Sequence, residues 1–119
     1  MTDYLLVFIG GGLGSIFRYG FAHVLAAHNY TFPLATLLAN IVSCIVLGAL
    51  IGLSLKGGIS GNFKLLFMTG FCGGFSTFST FSGETFLLMQ AGELTYAFLN
   101  IGLSLLICLV CIYLGIKLV

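Results

Sequence analysis

Between Asp3 and Lys56 the chain carries one formally charged side chain, Arg18, and over its 119 residues only Lys64, Glu84, Glu93 and Lys117 join those three. A soluble domain carries roughly 25% charged residues. With 6% charged and 60% hydrophobic residues, water cannot be the solvent for most of this surface, and the chain reads as an all-α integral membrane protein. About 20 apolar residues cross the hydrocarbon core. Four crossings joined by short connections use up the chain: one membrane domain, residues 1–119, with spans over about 4–27, 33–55, 63–89 and 94–118. Only Asp3 precedes the first long apolar run, so that run lacks the basic flank of a signal peptide and reads as a retained helix. Four dispersed cations and a net charge of +1 give no basic stripe for a nucleic-acid partner.

One stretch breaks the pattern of a plain span. Gly70 to Thr85 reads GFCGGFSTFSTFSGET, with three glycines followed by clustered hydroxyls and the carboxylate of Glu84. Polar groups and non-helical backbone at membrane depth are tolerated where they are buried in protein or line a wet path. The sequence predicts a third span broken around Gly73–Thr77 and resuming near Phe78. Such a break sets free carbonyls, the negative dipole end, beside free N–H groups, the positive end. Broken membrane helices hold ions in this way.

Polar residues elsewhere are few. Arg18 lies deep in the first span and must snorkel, pair or face a water-filled vestibule. His23 and His28 approach the interface and need no special role. Thr36 and Asn40 share a face one turn apart, with Ser43 beyond; an intramembrane Asn either glues helices together or lines a pore. Asn100 and Ser104 form a similar pair in the fourth span. Gly10 and Gly14, and Gly48 and Gly52, are spaced four apart, which suits close helix packing. Gly10, Gly12 and Ser15 fall near dinucleotide-fingerprint spacing, but that motif needs a βαβ unit, which four spans exclude. Cys44, Cys72, Cys108 and Cys111 all lie in apolar segments and read as small packing residues. The CxxC spacing of Cys108 and Cys111 lacks the second pair or histidine that zinc would need.

Phe75, Phe78 and Phe81 recur every three residues, with Ser76, Ser79, Thr80 and Ser82 between them. Aromatic spacing of this kind serves core packing, but interleaved hydroxyls also suit a path for a small anion. Ring edges are positive, and hydroxyl and amide donors replace water. Arg18 favours an anion by its field and Asn40 by its NH₂ group. Glu84 suits this path poorly: it is either a capped or protonated carboxyl or a proton carrier.

The run Gly73-Gly74-Phe75-Ser76-Thr77-Phe78-Ser79-Thr80-Phe81-Ser82, with GGLGSIFRY from Gly11 to Tyr19 and Thr36-Leu37-Leu38-Ala39-Asn40, closely resembles the small bacterial fluoride channels of the Fluc or CrcB family. The likeness covers all four spans. It implies an antiparallel, dual-topology homodimer with two fluoride pores and a central structural sodium ion. Carried over by motif, Phe78 and Phe81 are ring-edge fluoride contacts and Asn40 a pore donor. Ser79, Thr80, Ser82 and Ser104 fall on the polar side of the path, Arg18 and Glu84 at a vestibule or pore mouth, and the carbonyls of Gly73 and Ser76 on sodium. Where the family often carries a glycine three residues after the pore asparagine, this chain has Ser43.

The function so implied is passive, selective conduction of fluoride out of the cell across a prokaryotic inner membrane, which relieves fluoride toxicity. No catalysis is required, so the chain is not expected to be an enzyme. Two rivals have four short spans available to them: a proton-coupled exporter of the small multidrug type, and a non-transporting assembly subunit. Lys56, Lys64 and Lys117 fall on one side, with both termini, and bias that side towards the cytoplasm.

Overall fold

In a computed structural model, residues 1–26 and 31–119 are described. The end of the first predicted span at Ala27, and His28, lie outside them. Helix α1 covers Thr2–Ala26, α2 Leu34–Leu55, α3 Gly61–Phe63, α4 Gly73–Phe75, α5 Phe78–Gln90 and α6 Leu94–Leu118. Between α3 and α4, Lys64–Cys72 winds as a π-helix, so residues 61–75 form one continuous rod. Wide turns of this kind are rare and occur frequently at functional sites. Among the described residues there is no strand.

Local chemistry sets the ends. Pro33, with φ −75°, stands just before α2, where its missing N–H costs nothing. Ser60 opens α3 by accepting from Phe63 N–H at 3.2 Å. Gly57 and Gly92 stop α2 and α5 in left-handed conformations, φ 73° and 80°, which a side chain would strain. Thr77 caps α5 by accepting from Thr80 N–H at 3.2 Å.

Among the described residues, three helices are long and apolar enough to cross a membrane: α1, α2 and α6. Their outer faces carry a belt of exposed Leu, Phe, Ile and Val, which lipid solvates as readily as a protein core does. Attraction between spans must therefore come from close packing and interhelical hydrogen bonds, and glycine supplies the first. A methyl on Gly10 would meet the Leu66 carbonyl, one on Gly14 the Phe71 carbonyl, and one on Gly74 the Gly11 carbonyl. These contacts lay α1 parallel to residues 61–75. Gly48 and Gly115 do the same between α2 and α6, against Ile112 and Ile45 respectively. The glycine pairs expected to pack helices do so. The Lys56 ammonium donates to the carbonyl of Val119, bringing the loop after α2 to the C-terminus.

Gly48→Val is expected to lower stability by about 1–3 kcal/mol, the usual cost of overpacking, because the clash is with backbone rather than with a movable side chain. Gly12→Ala, whose methyl would meet nothing within 4 Å, is the control. Thermal unfolding in detergent should show a lower midpoint for the first variant alone.

Candidate functional site

The helical rod ends at Phe75. Ser76 (φ −84°, ψ 155°) and Thr77 (φ −151°, ψ 127°) are extended, and α5 begins at Phe78. The break thus falls within the predicted Gly73–Thr77 window. Extended backbone here strips helical partners from several groups, and each must be satisfied inside the protein.

The polar stripe of α2 answers this need turn by turn. Ser43 Oγ donates to the Cys72 carbonyl at 3.2 Å. Asn40 Oδ1 accepts from Thr77 N–H at 3.0 Å. Thr36 Oγ1 donates to Glu84 Oε1. Three residues on one face of one helix therefore fasten the rod's end, the break and the resumed helix. Asn40 is glue through its oxygen, which leaves its NH₂ group facing the other way as a donor. Ser43, a departure from the motif, has a defined task in this chain: it shares the Cys72 carbonyl with Ser76, whose N–H and Oγ donate to it at 3.0 and 2.7 Å. Arg18 does not snorkel away. Its Nε donates to the Gly74 carbonyl at 3.1 Å, placing a cation at the negative end of the first half-helix.

Around α5 the sequence-predicted residues divide. Phe78 and Phe81, ring centroids 5.7 Å apart and planes tilted by 41°, line a cleft of about 280 Å³ with Asn40, Ser76, Thr77 and Ser104. Thr80 faces nearly opposite, since successive residues turn by about 100°. It joins Ser15, Arg18, Tyr19 and Thr36 in a second recess of about 240 Å³. That recess shares Thr36 and Thr80 with a third of about 400 Å³, which reaches Pro33 and Glu84. Ser79 and Ser82 are exposed and line neither recess nor cleft. Gly73 is exposed, and the N–H that would close the next helical turn on its carbonyl goes to Asn40 instead.

The three-residue phenylalanine ladder does not survive the break. Phe75 is 2% exposed, packed edge-on against Phe21 at 5.4 Å and stacked on Phe71 at 5.6 Å, whereas Phe78 is 77% exposed. Phe75 is core and only its two successors face the cleft.

A relay that the sequence signalled only through its polar positions supports the cleft from behind. Ser104 Oγ donates to Asn100 Oδ1 at 3.3 Å, Asn100 Nδ2 to Thr85 Oγ1 at 2.8 Å, and Thr85 Oγ1 to the Phe81 carbonyl at 2.8 Å. Thr85 and Asn100 are buried. The Asn100–Ser104 pair predicted on one face of the fourth span thus holds α6 to α5 and fixes the backbone that carries Phe81.

What this arrangement offers a small anion is the Asn40 NH₂ group beside the Phe78 and Phe81 rings in the cleft, with the Arg18 guanidinium in the second recess, while the hydroxyl protons of Ser76 and Ser104 are held by the Cys72 carbonyl and Asn100. Comparison with known proteins points the same way. The family model described as CrcB-like protein, Camphor Resistance (CrcB), matches residues 5–116. The chain is 45% identical to the fluoride-specific ion channel FluC of Pyrococcus abyssi over 112 residues, 93% of this chain and 90% of that one. It is 42% identical to the FluC of Shewanella oneidensis over 120 residues, 100% of this chain and 97% of that one. The FluC of Pyrococcus horikoshii is 44% identical over 111 residues, 92% of this chain and 89% of that one.

Proposed function

From its place in the CrcB family, to which this chain belongs, we propose that it is a passive, fluoride-selective ion channel that lets the cell expel fluoride. The observation that carries this reading is the convergence, at a helix break, of the Asn40 NH₂ group with the Phe78 and Phe81 rings in one cleft. Fluoride holds its water tightly, so a path must offer donors at several weak sites in succession. Ring edges and the Asn40 amide are such donors. Arg18 raises the local concentration of anions at the recess that also holds Thr80, and Glu84 lines the third recess, which shares Thr36 and Thr80 with it. Ser79 and Ser82, exposed in the single chain, continue the polar side of the path where a second chain covers them. Ser104 lies on the cleft wall; its proton is committed to Asn100, so it serves an anion only by releasing that bond. Hydrogen fluoride formed in acid surroundings enters a cell uncharged and dissociates inside, and a negative membrane potential then drives the anion out.

The assembly proposed is a homodimer of oppositely inserted copies in the cell inner membrane, the broken rod and α5 together forming the third span of each. A sodium ion at its centre, held by the carbonyls of Gly73 and Ser76 from both copies, fits the donors available. Gly73 is exposed and its carbonyl is relieved of its helical partner, and hard cations take carbonyl oxygen. When bound it serves as a structural cross-link. A cysteine placed in the 56–64 loop should be labelled by an impermeant maleimide from outside the cell in about half the chains, as dual insertion against the weak lysine bias requires. Labelling confined to one side would contradict it.

Passive conduction also distinguishes this reading from proton-coupled export. Fluoride efflux from liposomes should follow voltage with no proton gradient, and Glu84→Gln should preserve that behaviour. Transport that requires a pH gradient and disappears in Glu84→Gln would favour the exporter.

A further inference from the structure

Helices α2 and α6 run parallel and in register: Gly48 lies against Ile112 and Gly52 against Ile116. One turn earlier the same register sets Cys44 beside Cys108 on the wall of one cleft. Both are free and half-buried, and both line the cleft that holds Asn40, Phe78 and Phe81, whereas Cys72 and Cys111 are buried. Two thiols on neighbouring, glycine-packed helices thus open onto the same cleft.

We infer that Cys44 and Cys108 form a dithiol site for a soft, two-coordinate cation of the Cu(I), Ag(I) or Hg(II) class, bridging α2 and α6 on the cleft wall. Thiolate sulfur selects soft metals. Among the described residues no group of three or more His, Cys, Asp or Glu is placed to hold a metal, so the four-ligand shell of zinc is not served. With mercuric chloride, two S–H and two Hg–Cl bonds break, two S–Hg bonds form, and two protons and two chlorides pass to water; nothing is oxidised or reduced. The bound ion stands in the space between Asn40 and Phe78. Its effect on conduction rests on the channel reading, but its binding does not.

Mercuric chloride titrated into the purified full-length protein, with excess 2-mercaptoethanol as competitor, tests the site. Thiolate-to-metal absorption and the intact mass are the readouts. One Hg(II) per chain should survive the competitor, with the mass gain of one metal less two protons. Cys44→Ser and Cys108→Ser should each weaken retention by about a hundredfold or more, the scale of a lost second attachment, while Cys111→Ser retains it. Equal retention in all four proteins, or loss in Cys111→Ser with retention in Cys44→Ser, would overturn the inference. Fluoride efflux measured on the same samples keeps the two readings apart. Binding with block supports both, whereas binding with undiminished efflux supports the dithiol site and contradicts the cleft as the route.

Discussion

Fluoride efflux through the Phe78→Ile protein is expected to fall by roughly tenfold to a hundredfold, with its oligomeric state and thermal midpoint unchanged. A hydrogen bond to an ion is worth roughly 1.5–3 kcal/mol, and each 1.4 kcal/mol is about a factor of ten. Isoleucine keeps the bulk of the ring but has no positive edge, so a dehydrated anion at that point loses its partner. The packing cost is small because Phe78 is 77% exposed in the single chain and its neighbour Phe81 is held independently through the Thr85–Asn100 relay. Phe81→Ile should show a loss of similar size, with some loss of stability because Phe81 is half-buried. Efflux measured with an ion-selective electrode, beside cross-linking and thermal unfolding of the same samples, checks both. Unchanged efflux in the two variants would remove ring edges from the mechanism.

Substitutions at Asn40 should separate the two uses of that side chain. In Asn40→Ala the Thr77 N–H loses its acceptor at the break. Hydrogen bonds between membrane helices average about 0.6 kcal/mol and reach about 1.7, so stability should fall by about 1 kcal/mol and conduction with it. Asn40→Asp keeps an oxygen for Thr77 but replaces the amide donor with an acceptor that is negative when ionised. Folding should stay closer to that of the parent, while efflux should fall by about a hundredfold, since both the lost donor and the added charge act against an anion. Efflux preserved in Asn40→Asp would mean that the NH₂ group never meets the ion.

How far the sequence foretells this molecule depends on whether helical phase can be carried along the chain. Within α2 it can: Thr36, Asn40 and Ser43 repeat at helical spacing, and they meet in turn the resumed helix, the break and the rod's end. The glycine pairs likewise declare their packing, because only hydrogen at those positions admits a neighbouring backbone. Across the break, phase is lost. Two extended residues, Ser76 and Thr77, turn α5 relative to the rod, so a three-residue phenylalanine repeat says nothing about whether Phe75 and Phe78 face the same space. They do not. The same loss explains why four hydroxyls that look alike in sequence differ in place: Ser76 lines the cleft, Thr80 faces the Arg18 recess, and Ser79 and Ser82 lie on the exposed surface. The π-helical turns of Lys64–Cys72 carry no mark in composition that separates them from an α-helix. Nor does the role of Ser43, whose hydroxyl finds its partner only once α2 and the rod are packed together.

The central claim is that this chain, without a partner of another sequence, conducts fluoride and excludes chloride. It is tested most directly by reconstituting the purified protein into liposomes loaded in turn with potassium fluoride and potassium chloride. A potassium ionophore relieves the voltage while an electrode follows each anion outward. Fast fluoride loss with negligible chloride loss, and with no pH gradient present, is the result the account predicts. Folded protein that releases neither anion, or releases both alike, would contradict it.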